Sequence, residues 1–208
     1  MRRGLDDSQQ SRDNFFTIFD GAFARGVAAI TVHGRTVEQR YVGPSRWAFL
    51  TEVKRHAGSR TILGSGDLFT PQDCLAMIRE TGVDGVTAAR GAIGNPWIFS
   101  QARALAAGLP LPPPPSLFEQ RDVIRTHYEL AEQIYGPDLC GRQMRKFGIK
   151  YSRLHPNSRE VRDAFIAVHR TSDWPLVLER WYSEDLPGCH PPAEPEENGS
   201  AMSCEDAA

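Results

Sequence analysis

Three short blocks of polar and glycine residues could carry chemistry, and each lies at the end of a short apolar run. They are HGRT at 33–36, GSGD at 64–67 and ARG at 89–91. Glycines let backbone N–H groups approach an anion, and a helix that begins nearby favours negative charge through its dipole. GSGD therefore predicts either a phosphate site or a plain turn, and the second such block one unit later strengthens the phosphate interpretation but leaves both open. The alternative for Arg90 is a surface cation paired with a helix acid.

Other residues near these blocks allow more than one interpretation. His33 ends its apolar run, so its imidazole can either donate a hydrogen bond to a cofactor or substrate or be satisfied by a loop carbonyl. Tyr41 can stack on a ligand or hold its loop in place, whereas Trp47 is a candidate for core packing. Cys74 lies beside Leu75 in a helical pattern and is interpreted as a buried small residue, not a nucleophile.

The spacing of apolar residues predicts the elements that position these blocks. Helices are expected over 14–25, 45–58, 70–82 and from Asn95 to Leu105, and strands over 27–32, 61–64 and 85–89. Ser45 and Thr70 are the candidate caps of the second and third helices, and Leu75 and Ile78 should face inward. The alternation of helix and strand predicts βαβ units with a parallel sheet, in which ligands bind at the carboxyl ends of strands.

The spacing of the blocks is compatible with units of a (β/α)8 TIM barrel over residues 1–107. There are 34 residues from His33 to Asp67 and 23 from Asp67 to Arg90, against about 31 per unit in such a barrel. The proline-rich stretch 108–115 then predicts an extended linker.

A purely helical pattern follows the linker. Helices are expected over about 116–136, 139–153 and 158–169, with a last short helix that contains Leu178. Ser116 and Glu119 form a candidate capping box, and Ile134 belongs to the apolar stripe of the first of these helices. We therefore expect a small all-α helical domain over 116–186. Residues 187–208 hold five acids and no Lys or Arg, which predicts a disordered acidic tail.

Basic residues are concentrated in the predicted helical domain. Residues 140–170 carry eight Lys or Arg and only two acids. Arg142, Arg145 and Lys146 nearly trace one helical face, with Phe147 and Tyr151 interleaved. Such a face suits a nucleic-acid backbone, and a solvated helix surface is the alternative.

Composition excludes several classes of protein. No apolar run approaches the roughly 20 residues of a membrane span, and the first residues lack a secretory signal. The four cysteines contain no CxxC pair, so a zinc site is not expected. We expect a cytoplasmic protein with reduced thiols.

Taken together, the blocks resemble the tRNA-dihydrouridine synthases over residues 1–182. The family pattern in this region is HGRT, QxYxGxxxW, GNGD and GRGxxGxPWxF. This chain has HGRT, then Gln39, Tyr41, Gly43 and Trp47, then GSGD and ARGAIGNPWIF. Its RQMRKFGIKY at 142–151 resembles the basic helix of the family.

The resemblance implies an FMN-binding barrel and a tRNA-binding helical domain. It implies FMN contacts for His33, Ser65, Gly66, Asp67, Ala89 and Arg90, the last five at the phosphate end, and tRNA contacts for Arg142, Arg145 and Lys146. NADPH would reduce FMN, and the flavin would reduce the C5=C6 bond of uridine in tRNA. Ser65 and Ala89 replace the usual Asn and Gly of the family, but both are small enough to keep backbone N–H contacts.

The resemblance also implies that the family's general-acid cysteine lies in a loop that this chain does not contain. None of its cysteines (Cys74, Cys140, Cys189 and Cys204) occupies a matching loop, and MRRGLDD resembles the end of the family's fifth strand. We therefore expect the C-terminal portion of a synthase, with no catalytic residue of its own and no activity alone. Its exposed sheet edges would favour self-association. Two alternatives stay open, namely another FMN-dependent barrel oxidoreductase and a non-catalytic RNA-binding remnant.

Overall fold

A computed structural model describes residues 1–191 of the 208-residue chain. Strands are β1 (Ala29–His33), β2 (Thr61–Ser65) and β3 (Gly85–Val86). Helices are α1 (Gln9–Ala24), α2 (Trp47–Ala57), α3 (Pro71–Thr81), α4 (Ile98–Ala106), α5 (Leu117–Tyr135), α6 (Pro137–Tyr151), α7 (Ser158–Ile166) and α8 (Asp173–Trp181). Two 3-10 turns cover Arg90–Ala92 and Ser152–Leu154. Within residues 1–191, none of these helices is both long and apolar enough to cross a bilayer.

The three strands form a parallel sheet in the order β1-β2-β3, which confirms the predicted α/β alternation. His33 lies opposite Ser65, and Gly64 lies opposite Val86, so the carboxyl ends of the strands meet at one edge. The first residues continue the sheet beyond β1, because Arg2 pairs in parallel with His33.

Two strand predictions have wrong boundaries. β1 begins at Ala29 and not at residue 27, because the N–H of Val27 still donates to Ala22 O at the end of α1. β3 ends at Val86 and not at residue 89, because the chain turns into the 3-10 turn that begins at Arg90. The N–H of Thr87 still donates to Gly64 O at 2.8 Å, so the segment after β3 stays beside β2.

Several helix boundaries also differ from the predictions. Ser8 caps α1 a turn and a half before the predicted start, where the polar residues carry no hydrophobic spacing. Ser45 does not cap α2, because the helix begins at Trp47 and Arg46 occupies the N-cap position. The N–H of Ser45 donates to a carboxylate oxygen of Asp67. α4 begins at Ile98 and not at Asn95, because the N–H of Ile98 closes a turn onto Asn95 O.

The capping boxes at Thr70 and Ser116 are both confirmed. The predicted inward residues of α3 are wrong in part: Ile78 is 37% exposed and Leu75 only half-buried, while Cys74 and Met77 are buried. Met77 packs where Gly64 of β2 leaves room for its sulfur. In α5, Ile134 is 76% exposed, since the helix buries its face at Ile124 and Ala131.

Buried side chains form two clusters. One joins α1, α2 and α3 to the sheet and includes Phe19, Val32, Leu50 and Ile62. The other joins α5 to α8 and includes Ile124, Met144, Phe165 and Trp174. Each cluster stabilises its own part of the chain, mainly through burial of apolar surface.

Residues 187–189 do not behave as the predicted acidic tail. The N–H of Cys189 donates to Leu154 O at 2.8 Å, and a side chain at Gly188 would overlap Pro115 O. These residues therefore pack against the start of α5, so that prediction is wrong for residues 187–189. The tail prediction for residues 192–208 lies outside the described residues.

Candidate functional site

A cleft of about 150 Å³ lies at the carboxyl ends of the strands. It is lined by Arg2, His33, Tyr41, Ser65, Gly66, Asp67, Leu68, Phe69, Thr87, Ala89 and Arg90. All six residues that the sequence indicated for the cofactor therefore lie in one cleft, although they come from three separate blocks. Parallel pairing brings the blocks together, because it places the ends of neighbouring strands side by side.

The GSGD turn keeps its shape because glycine is required at its third residue. Gly66 has φ +117°, and a Cβ there would overlap the side chain of Ser45. The indole Nε1 of Trp47 donates to Gly66 O at 3.2 Å, so Trp47 holds this turn as well as packing on the core. The hydroxyl of Ser65 donates to Thr87 O at 3.1 Å, which ties the turn to the segment after β3.

Asp67 is the most highly connected residue of the cleft. Its carboxylate accepts from Arg35 Nη2 and Arg90 Nη2, both at 2.8 Å, and from the N–H of Ser45 at 2.7 Å. Asp67 itself has φ +57°, a left-handed conformation that Asp tolerates better than most side chains. The sequence identified Asp67 and Arg90 but missed Arg35, whose presence in HGRT is its only signal.

Arg90 is an ordered cation at the mouth of the cleft. Its guanidinium lies 5.1 Å from the ring centres of both Tyr41 and Phe69, which is within cation–π range of each ring. It pairs with Asp67 on a neighbouring loop and not with a helix acid. Gly91 permits this placement, because a Cβ there would overlap Leu68 O.

His33 is held as a neutral hydrogen-bond donor. Its Nδ1 accepts the backbone N–H of Arg35 at 3.2 Å, which assigns the proton of the neutral ring to Nε2. Desolvation, and then the nearby charges of Arg2 and Arg35, lower the pKa of His33. The imidazole bonds a backbone N–H, not the loop carbonyl considered as the alternative.

A second layer of polar contacts holds the loop after β1. Arg3 is buried and donates to Gly34 O at 3.0 Å and to Gln39 Oε1 at 3.1 Å. Gln39 Oε1 also accepts the N–H of Thr36. Gln39 belongs to the family pattern. Arg2 and Arg3 lie in MRRGLDD, which resembles the end of a family strand but was assigned no role at the site.

The predicted basic face lies on α6. Arg142 and Lys146 are exposed and Arg145 is half-buried, and none of the three is ion-paired with an acid within residues 1–191. Tyr151 does not contribute an exposed ring, since it is 5% exposed and its hydroxyl lies 3.2 Å from His127 Nδ1. The expectation of two interleaved aromatics on this face is therefore wrong for Tyr151.

A larger cleft, of about 470 Å³, lies between α5 and α8. Its charged residues are Arg121, Arg125, Glu129 and Glu179, so its rim carries no net charge. It contains none of the residues of the three blocks. The smaller cleft at the strand ends is therefore the better candidate site, since catalytic and ligand residues in parallel α/β folds collect there.

The sequence was also compared with known proteins. Residues 1–180 match the model of the family described as dihydrouridine synthase. The chain belongs to the dihydrouridine synthase family. It is 35% identical over 180 residues to a probable tRNA-dihydrouridine synthase of Mycobacterium leprae, which covers 86% of this chain and 46% of that protein. It is 39% identical over 169 residues to tRNA-dihydrouridine synthase B of Xanthomonas axonopodis pv. citri, covering 81% of this chain and 50% of that protein.

This dihydrouridine synthase chain spans about half the length of the curated relatives it matches. The family match includes all three strand-end blocks and most of the helical part. Among residues 1–191, no group of three or more His, Cys, Asp or Glu is arranged to hold a metal ion.

Proposed function

We propose that this chain supplies the phosphate-binding part of an FMN site, and a tRNA-binding surface, in a tRNA-dihydrouridine synthase. The observation that carries the proposal is the convergence of His33, the GSGD turn and Arg90 in one cleft at the strand ends. In this proposal, residues 1–107 are the C-terminal portion of a (β/α)8 barrel, 108–115 are the linker and 116–186 are a helical tRNA-binding domain. A tRNA substrate would place the protein in the cytoplasm.

The residues of the cleft fit a phosphate group. Gly66 lines the cleft and carries no side chain, so the backbone of the GSGD turn forms part of the wall. The N–H of Arg90, the first residue of the 3-10 turn, has no partner within the turn, and Arg90 lines the cleft, so this group could donate to an anion. Neither departure from the family pattern obstructs this, since the Ser65 hydroxyl bonds Thr87 O and Ala89 adds only a methyl group.

The size of the cleft matches part of FMN and not the whole cofactor. Sites for molecules of that size usually enclose about 300–1,000 Å³, against about 150 Å³ here. We therefore assign this cleft to the phosphate end, with the ring system extending past His33. When bound, FMN would take electrons from NADPH and reduce the C5=C6 bond of a uridine.

The contributions of this chain to the reaction are binding and orientation. Arg90 would bind the phosphate, and neutral His33 would donate from Nε2 to the cofactor. Cys74 is buried on α3, and burial raises the pKa of its thiol to about 11, so it does not serve as the acid. Within residues 1–191, no cysteine lines the cleft. We therefore propose that this chain alone lacks synthase activity.

The basic face of α6 lies close to the cleft. A Cβ at Gly94 would lie 2.5 Å from the backbone carbon of Lys150, so the loop after the 3-10 turn touches the last turn of α6. Arg145 and Lys146 precede Lys150 by five and four residues, which is about 6–8 Å along a helix axis. A phosphate backbone on Arg142, Arg145 and Lys146 would therefore lie about one to two helical turns from the loop that follows Arg90.

Self-association is part of the proposal. Within residues 1–191, β3 pairs only with β2, and its other edge is open. A cleft of about 210 Å³ beside it is lined by apolar residues of α3 and α4 that include Ile78 and Phe99, both partly exposed. An open edge next to apolar surface favours pairing with another chain, which sedimentation at increasing concentration would detect.

Comparing FMN with riboflavin tests the proposed cofactor site. The two flavins differ only in the phosphate, so flavin fluorescence should report tighter binding of FMN by the purified chain. Arg90→Ala should weaken the binding of FMN by about tenfold, because a charge-assisted hydrogen bond is lost. The affinity for riboflavin should not change. Arg79→Ala is the matched control, since Arg79 is 77% exposed on α3. Equal affinities of the wild-type chain for FMN and riboflavin would contradict the proposal.

Binding assays on the same purified chain distinguish an FMN-dependent enzyme from a non-catalytic RNA-binding remnant. Binding of tRNA without any FMN binding would favour the remnant, because the basic face of α6 would then be the working surface. Binding of both ligands favours the cofactor site described above.

A further inference from the structure

We propose that Asp67 is a positioning residue, which aims Arg90 at the phosphate and does not itself touch that group. The inference rests on the proposed function, because it concerns the same cleft. Family resemblance implies that Asp67 lies at the phosphate end of FMN. A carboxylate and a phosphate repel each other at close range, so the presence of Asp67 there needs another explanation.

The carboxylate of Asp67 is already occupied by donors of this chain. Oδ1 accepts from Arg35 Nη2 and Arg90 Nη2, and Oδ2 accepts from Ser45 N–H. These donors come from the loop after β1, the start of α2 and the turn after β3. The side chain of Asp67 is only 24% exposed, so a ligand would have to displace one of these donors to reach it. Asp67 therefore ties three segments together at the base of the cleft.

Arg35 makes this arrangement compatible with an anion. Its side chain is 4% exposed and also donates to Gly43 O, so its charge is fixed beside Asp67. The charge of Arg35 cancels that of Asp67, and the charge of Arg90 is left over. One carboxylate between two arginines thus has a net charge of +1. Asp67 can orient Arg90 without neutralising it, which a simple one-to-one ion pair could not do.

Arg90 is held so that part of its guanidinium remains available. The rings of Tyr41 and Phe69 both lie within cation–π range of the guanidinium, and Asp67 accepts from Nη2. Among the described residues, its other nitrogens donate to no protein group, and its side chain is 37% exposed. A cation oriented before the ligand arrives loses less side-chain freedom on binding, which strengthens the interaction.

Inorganic phosphate is the probe that isolates this inference. The full chain is titrated with phosphate, and binding is followed by NMR of the arginine Nε–H groups, in the wild type, Asp67→Asn, Arg90→Ala and the double variant. Asn keeps the shape of Asp67 and tolerates its left-handed backbone. We expect Arg90→Ala to lower the affinity for phosphate about tenfold and Asp67→Asn to lower it severalfold. In the Arg90→Ala background, Asp67→Asn should have less than about a twofold effect.

Asp84→Asn is the matched control. Asp84 also bridges a cation and a backbone N–H, since it accepts from Lys54 Nζ at 2.7 Å and from Ile62 N at 2.8 Å. It lies outside the cleft, so phosphate affinity should not change. Equal losses from Asp67→Asn with and without Arg90 would overturn the inference, because Asp67 would then act independently of Arg90. An unchanged or tighter phosphate affinity in Asp67→Asn would also overturn it, because the negative charge of Asp67 would then matter more than its hold on Arg90.

A measurement on the wild-type chain keeps the inference testable if Asp67→Asn does not fold. Scalar coupling across the hydrogen bond between Arg90 Nη2 and the Asp67 carboxylate should persist when phosphate saturates the site. Loss of that coupling on phosphate binding would overturn the inference, since the ligand would then replace Asp67. A chain that prefers FMN to riboflavin yet loses the coupling would leave the proposed function standing and remove only the inference. A wild-type chain that binds no phosphate would overturn both.

Discussion

Trp47 connects the packing of the sheet to the shape of the cleft. Its ring lies against the core, and its Nε1 donates to Gly66 O in the turn that forms one wall of the site. Gln39 has a comparable role in the loop after β1, where its side-chain oxygen accepts from Arg3 and from Thr36. Motif residues that do not line the cleft thus hold the backbone that does.

Trp47→Phe should destabilise the chain and lower its affinity for FMN, because it removes the hydrogen bond from Nε1 to Gly66 O while keeping an aromatic ring. We expect a loss of about 1 kcal/mol in the free energy of unfolding beyond that of Trp97→Phe, the matched control. Trp97 is also half-buried, but its Nε1 donates to no group among the described residues. Urea unfolding measures the difference, and equal losses in the two variants would contradict the role of Trp47.

At the scale of elements, the sequence predicted contacts between residues that are close together in the chain and missed contacts between distant residues. The capping boxes Thr70–Asp73 and Ser116–Glu119 join residues three apart, so their pattern is visible in the sequence. The pair Arg35–Asp67 joins residues 32 apart, and only the parallel register of the strands brings them together. The early end of β3 and the burial of Tyr151 likewise depend on tertiary contacts, which local spacing does not encode.

The helix α6 should contribute a salt-dependent share of tRNA binding. Arg145→Ala should lower the slope of log Kd against log salt by about one, because one phosphate contact and its released counterion are lost. Arg162→Ala is the control, since Arg162 on α7 lies 3.8 Å from Asp163 and outside the predicted face. Filter binding at several salt concentrations checks this, and an unchanged slope for Arg145→Ala would remove Arg145 from the interface.

The contact between the second 3-10 turn and α8 should make stability depend on pH. His155 is buried, with Nε2 donating to Trp181 O at 2.8 Å and Nδ1 accepting Asn157 N–H at 2.9 Å, and desolvation lowers its pKa below 6.5. The unfolded chain therefore binds the proton more readily, so stability should fall as pH drops below about 6.5.

Urea unfolding at pH 7.5 and 5.5 tests this dependence. Between pH 7.5 and pH 5.5, His155→Gln should lose less of its free energy of unfolding than the wild type does. The loss should not vanish, because the pKa values of His33 and His127 are also lowered by desolvation. His169→Gln is the control, since His169 is exposed and should leave the loss unchanged. An unchanged pH dependence in His155→Gln would contradict the assignment.

At the scale of the whole molecule, Gly94 allows the loop after Arg90–Ala92 to contact the last turn of α6. Gly94 and Gly108 both have φ +75°, but a Cβ at Gly94 would meet the backbone of Lys150 and one at Gly108 would meet nothing within 4 Å. Gly108→Ala should therefore cost only the left-handed strain of about 1–2 kcal/mol. Gly94→Ala should lower the free energy of unfolding by more than this, and it should weaken the binding of tRNA more than the binding of FMN. Identical effects of the two variants would contradict a direct contact between the loop and α6.

The central claim, that the strand ends hold the phosphate of FMN, is tested most directly by 31P NMR of FMN titrated with the chain. The account predicts that the single phosphorus resonance shifts and broadens on addition of the wild-type chain, and that Arg90→Ala greatly reduces both changes. A phosphorus resonance that stays sharp and unshifted while flavin fluorescence reports binding would contradict the account, because the cofactor would then be held by its ring system alone.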